Sequence, residues 1–270
     1  MRLGVLFGTL GVISSDIWPV IWLILEVNMM SFISFLTKKW TVKKTRLLYF
    51  VVQRVGSLFI LSGGMFSGWR GFIEKWVILG ILLKTRLAPL HFWGAVLISK
   101  LSNMVSFIFL TWQKIAPVFL LLITTPKYII YSIMIINVLV GSRCGIGSKN
   151  ILVLLFFSGL NHIRWLIASP VNRALIYFTL YTIISFPIFF QPTAHNLPIL
   201  ILNLAGLPPM TGFFIKLLVL EELRVGVGCV MVILTAPLLF AYIRAFLISS
   251  RHPGSLRLIT VCVSCIGFIF

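Results

Sequence analysis

Apolar runs follow one another along almost the whole chain, separated only by short polar or glycine-rich segments. A transmembrane helix needs about 20 mostly apolar residues, and many of the runs approach that length. Hydropathy and the positions of Gly, Pro and charged residues predict about eleven spans, all helical. Their predicted bounds are Leu3–Ile13, Ile17–Leu36, Leu47–Leu61, Phe72–Leu90, Met104–Ile123, Tyr128–Val140, Ile151–Ala168, Ala174–Phe190, Leu197–Leu220, Val227–Ile248 and Leu256–Phe270.

The segments between the spans contain the residues that usually end helices. Gly63–Gly71 is predicted to be a glycine-rich turn, Gly141–Lys149 a glycine-rich link, and Pro170–Arg173 a turn. A short apolar piece, His91–Ile98, follows Ala88-Pro89 at the end of the fourth span. No hydrophilic block is long enough for a separate globular unit, so the pattern predicts a single transmembrane domain over residues 1–270.

The ninth span contains the strongest break in the pattern. Pro208 and Pro209 lie in its middle between two glycines, and Lys216 follows. Proline removes a backbone donor and clashes with the preceding turn, so a regular helix should be interrupted here. In lipid, irregular backbone survives only where protein buries it or water reaches it. The stretch therefore predicts a discontinuous helix beside an ion site; the alternative is a kinked helix whose Lys216 reaches the interface.

Composition supports a polytopic membrane protein. Apolar residues make up 60% of the chain and charged residues only 10%. The net charge is +18, but the basic residues lie between apolar spans, with no soluble fold to present them to nucleic acid. Anionic membrane lipid is the partner that this charge favours.

The basic loop residues distribute unequally between the two sides of the membrane. Alternating the loops puts one larger set on one side: Arg2, Lys38, Lys39, Lys43, Lys44, Arg46, Lys100, Arg143, Lys149, Arg251 and Arg257. The smaller set on the other side is Arg70, Lys75, Lys127, Arg173 and Arg224. The positive-inside rule then predicts that the N-terminus lies on the inner side and the C-terminus on the outer side.

Several cations fall at span depth, where a charge costs about 2.5–3.5 kcal/mol on insertion scales. They are Arg54, Lys84, Arg86, Lys114, Arg164, Lys216 and Arg244, and the clear acid at the same depth is Glu26. Arg54, Arg164 and Arg244 are predicted to extend toward the interface. The three lysines lie near predicted helix breaks or, for Lys114, one turn before Pro117.

Lysine is the suitable residue for carrying a proton at such a place. Its pKa falls on desolvation and rises beside an acid, so it can load and release a proton as its neighbours change. Arginine would stay charged throughout. The pattern therefore favours proton transport, with Glu26 as the acid that could modulate the nearest lysine.

No motif for bond-making catalysis occurs in the chain. There is no dinucleotide fingerprint, P-loop or nucleophile elbow, and the four histidines lack metal-ligand spacing. Cys262 and Cys265 form a C-x-x-C within an apolar run, which favours buried small residues over redox chemistry. Any redox cofactor is therefore expected on another subunit.

Five stretches resemble one known family. They are W-L-I-L-E-V-N-M-M-S-F (Trp22–Phe32), L-L-K-T-R-L-A-P-L-H-F-W (Leu82–Trp93), T-W-Q-K-I-A-P (Thr111–Pro117), F-S-G-L-N-H-I-R-W (Phe157–Trp165) and L-A-G-L-P-P-M-T-G-F-F-I-K (Leu204–Lys216). In this order they are similar to the subunit 2 family of mitochondrial NADH–ubiquinone oxidoreductase, respiratory complex I. The similarity covers nearly the whole chain, and Glu221-Glu222 match the family's acidic pair.

The resemblance implies an all-α, antiporter-like bundle of eleven transmembrane helices, with discontinuous helices at Lys84 and Lys216. It implies a multi-pass subunit of the mitochondrial inner membrane that pumps protons while other subunits hold NADH, FMN, Fe–S clusters and ubiquinone. The other membrane-arm subunits of complex I would be its partners. By position, Glu26 and Lys84 would form the acid–lysine pair and Lys114 the central relay. Lys216 would be the terminal lysine, with His162 on the axis between Lys114 and Lys216.

The chain departs from the family pattern at several positions. Arg164 stands where a small residue is usual, Ala95-Val96 replace a Pro-Glu, and a carboxylate usual near Thr45-Arg46 is missing. Two other functions remain open: a subunit of a multi-subunit cation/proton antiporter, and a scaffold that only fills membrane area. The Trp-Gln-Lys-Ile-Ala-Pro sequence favours complex I over the antiporter, and buried lysines are costly for a scaffold.

Overall fold

The computed structural model describes residues 2–36, 42–65, 70–190, 197–208, 210–223 and 225–249. In these ranges the chain is helical and contains no strand, which confirms the all-α class. The helices are α1 (Arg2–Ser14), α2 (Trp18–Phe35), α3 (Val42–Met65), α4 (Arg70–Thr85), α5 (Phe92–Ile98), α6 (Asn103–Leu110), α7 (Trp112–Thr124), α8 (Lys127–Gly147), α9 (Ile151–Ala168), α10 (Val171–Phe190), α11 (Leu197–Ala205), α12 (Thr211–Leu220), α13 (Val225–Ile233) and α14 (Ala236–Ser249).

Seven stretches of the described residues are long and apolar enough to cross a membrane. They are Trp18–Phe35, Lys43–Gly64, Asn103–Thr124, Lys127–Gly147, Ile151–Ala168, Asn172–Phe190 and Gly226–Phe246. Gly4–Ser14 and Thr211–Leu220 are shorter apolar helices. The chain is therefore a multi-pass membrane protein. The predicted span Leu256–Phe270, with Cys262 and Cys265, lies outside the described residues.

Backbone contacts divide the chain into two compact units, Met1–Ile136 and Asn137–Phe270. In the first, small residues let helices approach closely. A Cβ on Gly80 of α4 would lie 2.6 Å from the Gly56 carbonyl oxygen of α3, and one on Gly8 of α1 would lie 2.9 Å from the Asn28 Cβ of α2. Close packing through small residues is how membrane helices associate in the absence of a hydrophobic driving force between them.

The second unit is organised around α9, since 78% of that helix is buried. Helices α10, α12 and α14 each pack against it, and α11 packs against the same three helices. Because the helix is enclosed, its polar side chains are buried within the unit: Asn161, His162 and Arg164.

The predicted glycine-rich link Gly141–Lys149 is wrong for most of its length, because α8 continues to Gly147. A Cβ on Gly141 would lie 2.7 Å from Asn161 Nδ2, and one on Gly145 would lie 3.1 Å from Leu238 Cδ1. These glycines serve close helix packing rather than a turn.

The other predicted turns also shorten. Both ends of the predicted turn Gly63–Gly71 are helical, because α3 runs to Met65 and α4 begins at Arg70; residues 66–69 lie outside the described part of the chain. Helix α10 begins at Val171 rather than Ala174, with Pro170 just before it, where proline fits because the first helical N–H groups need no partner in the helix. The predicted span Met104–Ile123 is interrupted at Thr111, between α6 and α7, while Pro117 lies inside α7.

Candidate functional site

Lys84 lies at the first helix interruption. It is in the last turn of α4, where the helix dipole favours a cation. The helix ends at Thr85, Arg86 adopts a positive φ of 61°, and the Ala88–Pro89 peptide bond is cis. Lys84 is 3% exposed, and its Cγ lies 3.2 Å from where a Cβ on Gly56 would stand. The small residue on α3 thus makes room for the lysine stem.

Glu26 of α2 forms an ion pair with Arg54 of α3. Their Oε2 and Nη1 atoms are 2.8 Å apart, with 10% of the Glu26 side chain exposed and 38% of that of Arg54. Arg54 was predicted to extend to the interface; instead it binds the buried acid from the middle of its helix. The charges of both residues also act on Lys84. Glu26 thus interacts with two cations, Arg54 and Lys84. The sequence analysis paired it with Lys84 alone.

Lys114 follows the second interruption, at Thr111. It lies in the first turn of α7, a helix end where the dipole disfavours a cation. The residue is 3% exposed, and its Nζ has no hydrogen-bond partner among the described residues. Burying an ammonium group in this position is costly in free energy. The cost falls if water or a partner subunit supplies hydrogen bonds, or if the lysine gives up its proton.

Arg86 connects the two interruptions, a role that sequence reasoning did not assign to it. Its Nη1 donates to the Phe109 carbonyl oxygen at 2.8 Å, and its guanidinium carbon lies 3.8 Å from the Phe109 ring centroid. Phe109 is in the last turn of α6, two residues before Thr111. The arginine of the first break therefore satisfies a carbonyl group at the second, and its charge acts on Lys114.

The third interruption separates α11 from α12. Gly206 has a φ of 73°, a left-handed conformation that favours glycine. Asn203 Oδ1 accepts hydrogen bonds from the Gly212 backbone N–H at 2.9 Å and the Thr211 hydroxyl at 2.8 Å, and so caps the start of α12. The Lys216 ammonium donates to the Ala205 carbonyl oxygen at the end of α11. Pro209 lies outside the described residues.

The geometry of this break predicts a strong effect of Gly212→Ala. A Cβ on Gly212 would lie 1.9 Å from the Asn203 carbonyl oxygen, so the backbone must shift. We expect a loss of about 3 kcal/mol in stability, the upper end for overpacking, measured as a lower thermal unfolding midpoint of the assembled protein in detergent. Gly226→Ala is the control, since nothing lies within 4 Å of its Cβ position. Equal midpoints for the two variants would contradict this close packing.

His162 and Lys216 line the same cavity, whose volume is about 250 Å³. Asn161, Thr235 and Tyr242 add polar groups to its wall. One water occupies about 30 Å³ in the liquid, so the cavity has room for several, and its walls offer them hydrogen bonds. Within the second unit, the structure therefore brings together two of the residues that sequence reasoning singled out.

His162 also makes a hydrogen bond that sequence reasoning missed. Its Nδ1 lies 2.7 Å from the Tyr177 hydroxyl of α10, and the Tyr181 ring centroid lies 4.6 Å from the imidazole centroid. Tyr177 and Tyr181 are four residues apart, so they share a helix face. That spacing is visible in the sequence, but which helix this face contacts is not.

Two further arginines behave differently from each other. Arg164 was predicted to extend to the interface, which is wrong: it is 1% exposed, its guanidinium carbon lies 5.2 Å from the Trp165 ring centroid, and its charge acts on Lys216. Burial of α9 on all sides leaves its side chain no route out. Arg244 donates from Nη2 to the Ser148 carbonyl oxygen at 2.6 Å, just after α8.

Comparison with known proteins identifies the family. Residues 64–198 match the family described as NADH:quinone oxidoreductase/Mrp antiporter, TM. The NADH-ubiquinone oxidoreductase chain 2 of Anopheles gambiae is 31% identical over 278 residues, covering 88% of this chain and 82% of that one. The chain 2 of Myxine glutinosa is 32% identical over 258 residues, covering 80% and 73%.

Solved structures share the fold at lower sequence identity. A chain of respiratory complex I from Thermus thermophilus superposes with a TM-score of 0.80 at 19% identity, covering 99% of this chain and 75% of that one. A chain of the Mrp complex from Dietzia sp. gives a TM-score of 0.79 at 15% identity, covering 94% and 60%. These similarities, together with the sequence relatives, confirm the resemblance first seen in the motifs: the chain belongs to the NADH-ubiquinone oxidoreductase chain 2 family.

Proposed function

We propose that the chain is a proton-translocating membrane-arm subunit of respiratory complex I in the mitochondrial inner membrane. Electron transfer from NADH to ubiquinone, on other subunits that also hold FMN and the Fe–S clusters, would drive it. The sequence relatives are named as chains of this enzyme. We further propose the family's eleven-helix bundle, in which the helices at Lys84 and Lys216 are discontinuous.

The observation that carries the proposal is the placement of three lysines beside three helix interruptions. Lys84, Lys114 and Lys216 follow or precede breaks at Arg86, Thr111 and Gly206. Irregular backbone at membrane depth is tolerated where it lines a hydrated cavity, and ionisable residues there mark ion paths. A scaffold would gain nothing from these costly groups.

Each lysine has surroundings suited to a change of protonation. The charges of both Glu26 and Arg54 act on Lys84. A movement of Glu26 relative to its ion-pair partner Arg54 would therefore change how strongly Lys84 holds its proton. Lys114 lies buried without a hydrogen-bond partner in the described part of the chain. Lys216 contacts the carbonyl end of α11 and shares a cavity with His162.

The energy involved is compatible with such changes. Moving one charge against 100 mV requires about 2.3 kcal/mol. One pKa unit corresponds to about 1.4 kcal/mol. A change of about 1.6 units in the pKa of a buried lysine would therefore match the free energy of moving one charge against 100 mV.

The likeness to a Mrp complex chain raises the alternative of a cation/proton antiporter subunit. The fold alone does not separate the two functions. Relatives near 30% identity over most of the chain are complex I chains, which favours the redox-driven pump.

Replacing Lys216 tests the proposal. Lys216→Gln keeps a hydrogen-bond donor for the Ala205 carbonyl oxygen but cannot carry a proton. We expect proton translocation by the assembled complex in sealed vesicles to fall about 100-fold, the lower range for loss of a positioned proton-transfer group. Lys149→Gln, the same change at an exposed lysine, should leave it unaltered. Full translocation by Lys216→Gln would refute the role of Lys216.

A further inference from the structure

A smaller cavity is lined by Tyr177, the hydrogen-bond partner of His162, while His162 itself lines the Lys216 cavity. The volume of the smaller cavity is about 140 Å³, and Tyr177 is part of its wall, as is Arg173. The remaining lining side chains are aliphatic residues of α10 and α12. Tyr177 therefore lines this cavity, and its hydrogen bond connects it with His162, which lines the Lys216 cavity.

Charged groups mark the outer end of the small cavity. Arg173 Nε lies 2.7 Å from Glu222 Oε1. The Nη1 atom of the same arginine lies 3.5 Å from Glu221 Oε2. It also donates a hydrogen bond to the Leu218 carbonyl oxygen at 2.5 Å. About one third of the Arg173 side chain is exposed. Alternation of the loops assigns Arg173 to the less basic side, which the positive-inside rule makes the outer side.

Tyr177 is close to that side. It lies six residues after Val171, the first residue of α10, or about 9 Å along the helix at 1.5 Å per residue. His162 lies six residues before Ala168, the last residue of α9, and so at a similar depth. The Tyr177 hydroxyl group thus lies between the imidazole of His162, which lines the Lys216 cavity, and the small cavity, which is also lined by the partly exposed Arg173.

We propose that Tyr177 is a proton-transfer residue, and that its hydrogen bond with His162 is the exit through which protons leave the Lys216 cavity for the outer side. The proposal rests on the proposed function, and adds to it a route and a direction. Neither the sequence motifs nor the lysines themselves point to this tyrosine.

The step conserves protons and charge. Protonated His162 donates its Nδ1 proton to the Tyr177 oxygen while Tyr177 releases its own hydroxyl proton to water in the small cavity. Both side chains are then neutral, and one proton has moved outward. The starting state returns when the Tyr177 hydroxyl group rotates and the imidazole ring flips, so that its remaining N–H group faces Tyr177. The ring nitrogen that then faces the Lys216 cavity takes up the next proton from that side. Arg173 and Tyr177 are the polar side chains in an otherwise aliphatic lining, and they can serve as hydrogen-bond partners for water there.

Tyr177→Phe tests the route, because it deletes one oxygen and keeps the ring. In assembled complex reconstituted in sealed vesicles, we expect proton release on the outer side, followed with a pH-sensitive dye, to slow about 100-fold. Proton uptake on the inner side should persist for the first turnover, because the groups that line the Lys216 cavity can still take up a proton. A merely structural role would slow uptake and release together.

Tyr181→Phe is the matched control, one turn further along the same helix. Its ring lies against His162, so the control tests loss of a phenol oxygen beside the same imidazole. We expect it to release protons at the normal rate. If both variants slow equally, the effect is packing and the exit route is refuted.

The outcomes also separate this inference from the proposed function. If Tyr177→Phe pumps normally while Lys216→Gln does not, the exit route is wrong and the pump stands. If both pump normally, the proposed function fails together with the route. Slow release by Tyr177→Phe alone among the two tyrosine variants supports the route.

Discussion

A Lys114→Met variant is expected to lose proton translocation by about 100-fold or more, the largest effect of any single substitution in the first unit. Methionine has nearly the length of lysine but carries no proton. Lys114 Nζ is buried and has no hydrogen-bond partner among the described residues, so its removal leaves no protein group there unpaired. The fold should therefore persist while the relay is lost, measured as protons translocated per NADH oxidised in sealed vesicles.

Lys114→Arg is the informative companion to this variant. Arginine keeps the positive charge but does not release its proton at accessible pH. If Lys114 exchanges protons, the arginine variant should fail as the methionine variant does. If Lys114 serves only as a fixed charge, arginine should restore pumping. A methionine variant that pumps as before would show that the chain is a scaffold at this position.

A Glu26→Gln variant is expected to show the second large loss, about tenfold or more in proton translocation. The substitution leaves Arg54 without the carboxylate that lies 2.8 Å from its Nη1. It also removes the negative charge that acts on Lys84. The variant thus alters the charges around Lys84 on which its proton exchange would depend.

Arg54→Gln separates the two roles of Glu26. It breaks the same ion pair but leaves the acid free to act on Lys84. If Glu26 serves the relay, this variant keeps most of its pumping, and assembly is the property more affected. Equal losses in both variants would show that the ion pair matters only for structure. Unaltered pumping by Glu26→Gln would exclude it from the relay.

The sequence predicted the break at Gly206 well, because its cause is local. Proline and glycine change what the backbone can do at their own positions, so the interruption before Lys216 can be read directly. The break at Thr111 was not predicted, since no residue there forbids a helix. The Phe109 carbonyl oxygen beside this break accepts a hydrogen bond from Arg86, 23 residues away, and such a tertiary contact is not visible in the sequence.

The glycine-rich segment Gly141–Lys149 was predicted to be a link but is mostly helical, and the reason is physical. The same absence of a Cβ that permits a turn also permits two helices to touch, and the sequence does not distinguish these uses. At Gly141 and Gly145 the contacts are with Asn161 and Leu238, so the helix continues. Hydropathy alone cannot reveal such neighbours.

The arginines were the least predictable part of the candidate site. A long side chain near a span end can reach the interface, and Arg54 and Arg164 were both expected to do so. Their actual positions depend on neighbouring helices: α2 presents Glu26 to Arg54, and α9 is enclosed on all sides around Arg164. Pairing and burial of this kind follow from tertiary packing.

The most direct test of the account is a structure of the assembled complex at a resolution that shows ordered water. We expect ordered waters hydrogen-bonded to the ammonium groups of Lys84, Lys114 and Lys216, and to His162 in the cavity that it shares with Lys216. The cavity of about 250 Å³ beside Lys216 should hold several of them. Dry apolar packing or lipid chains around these three nitrogen atoms would contradict proton transfer through the three lysines.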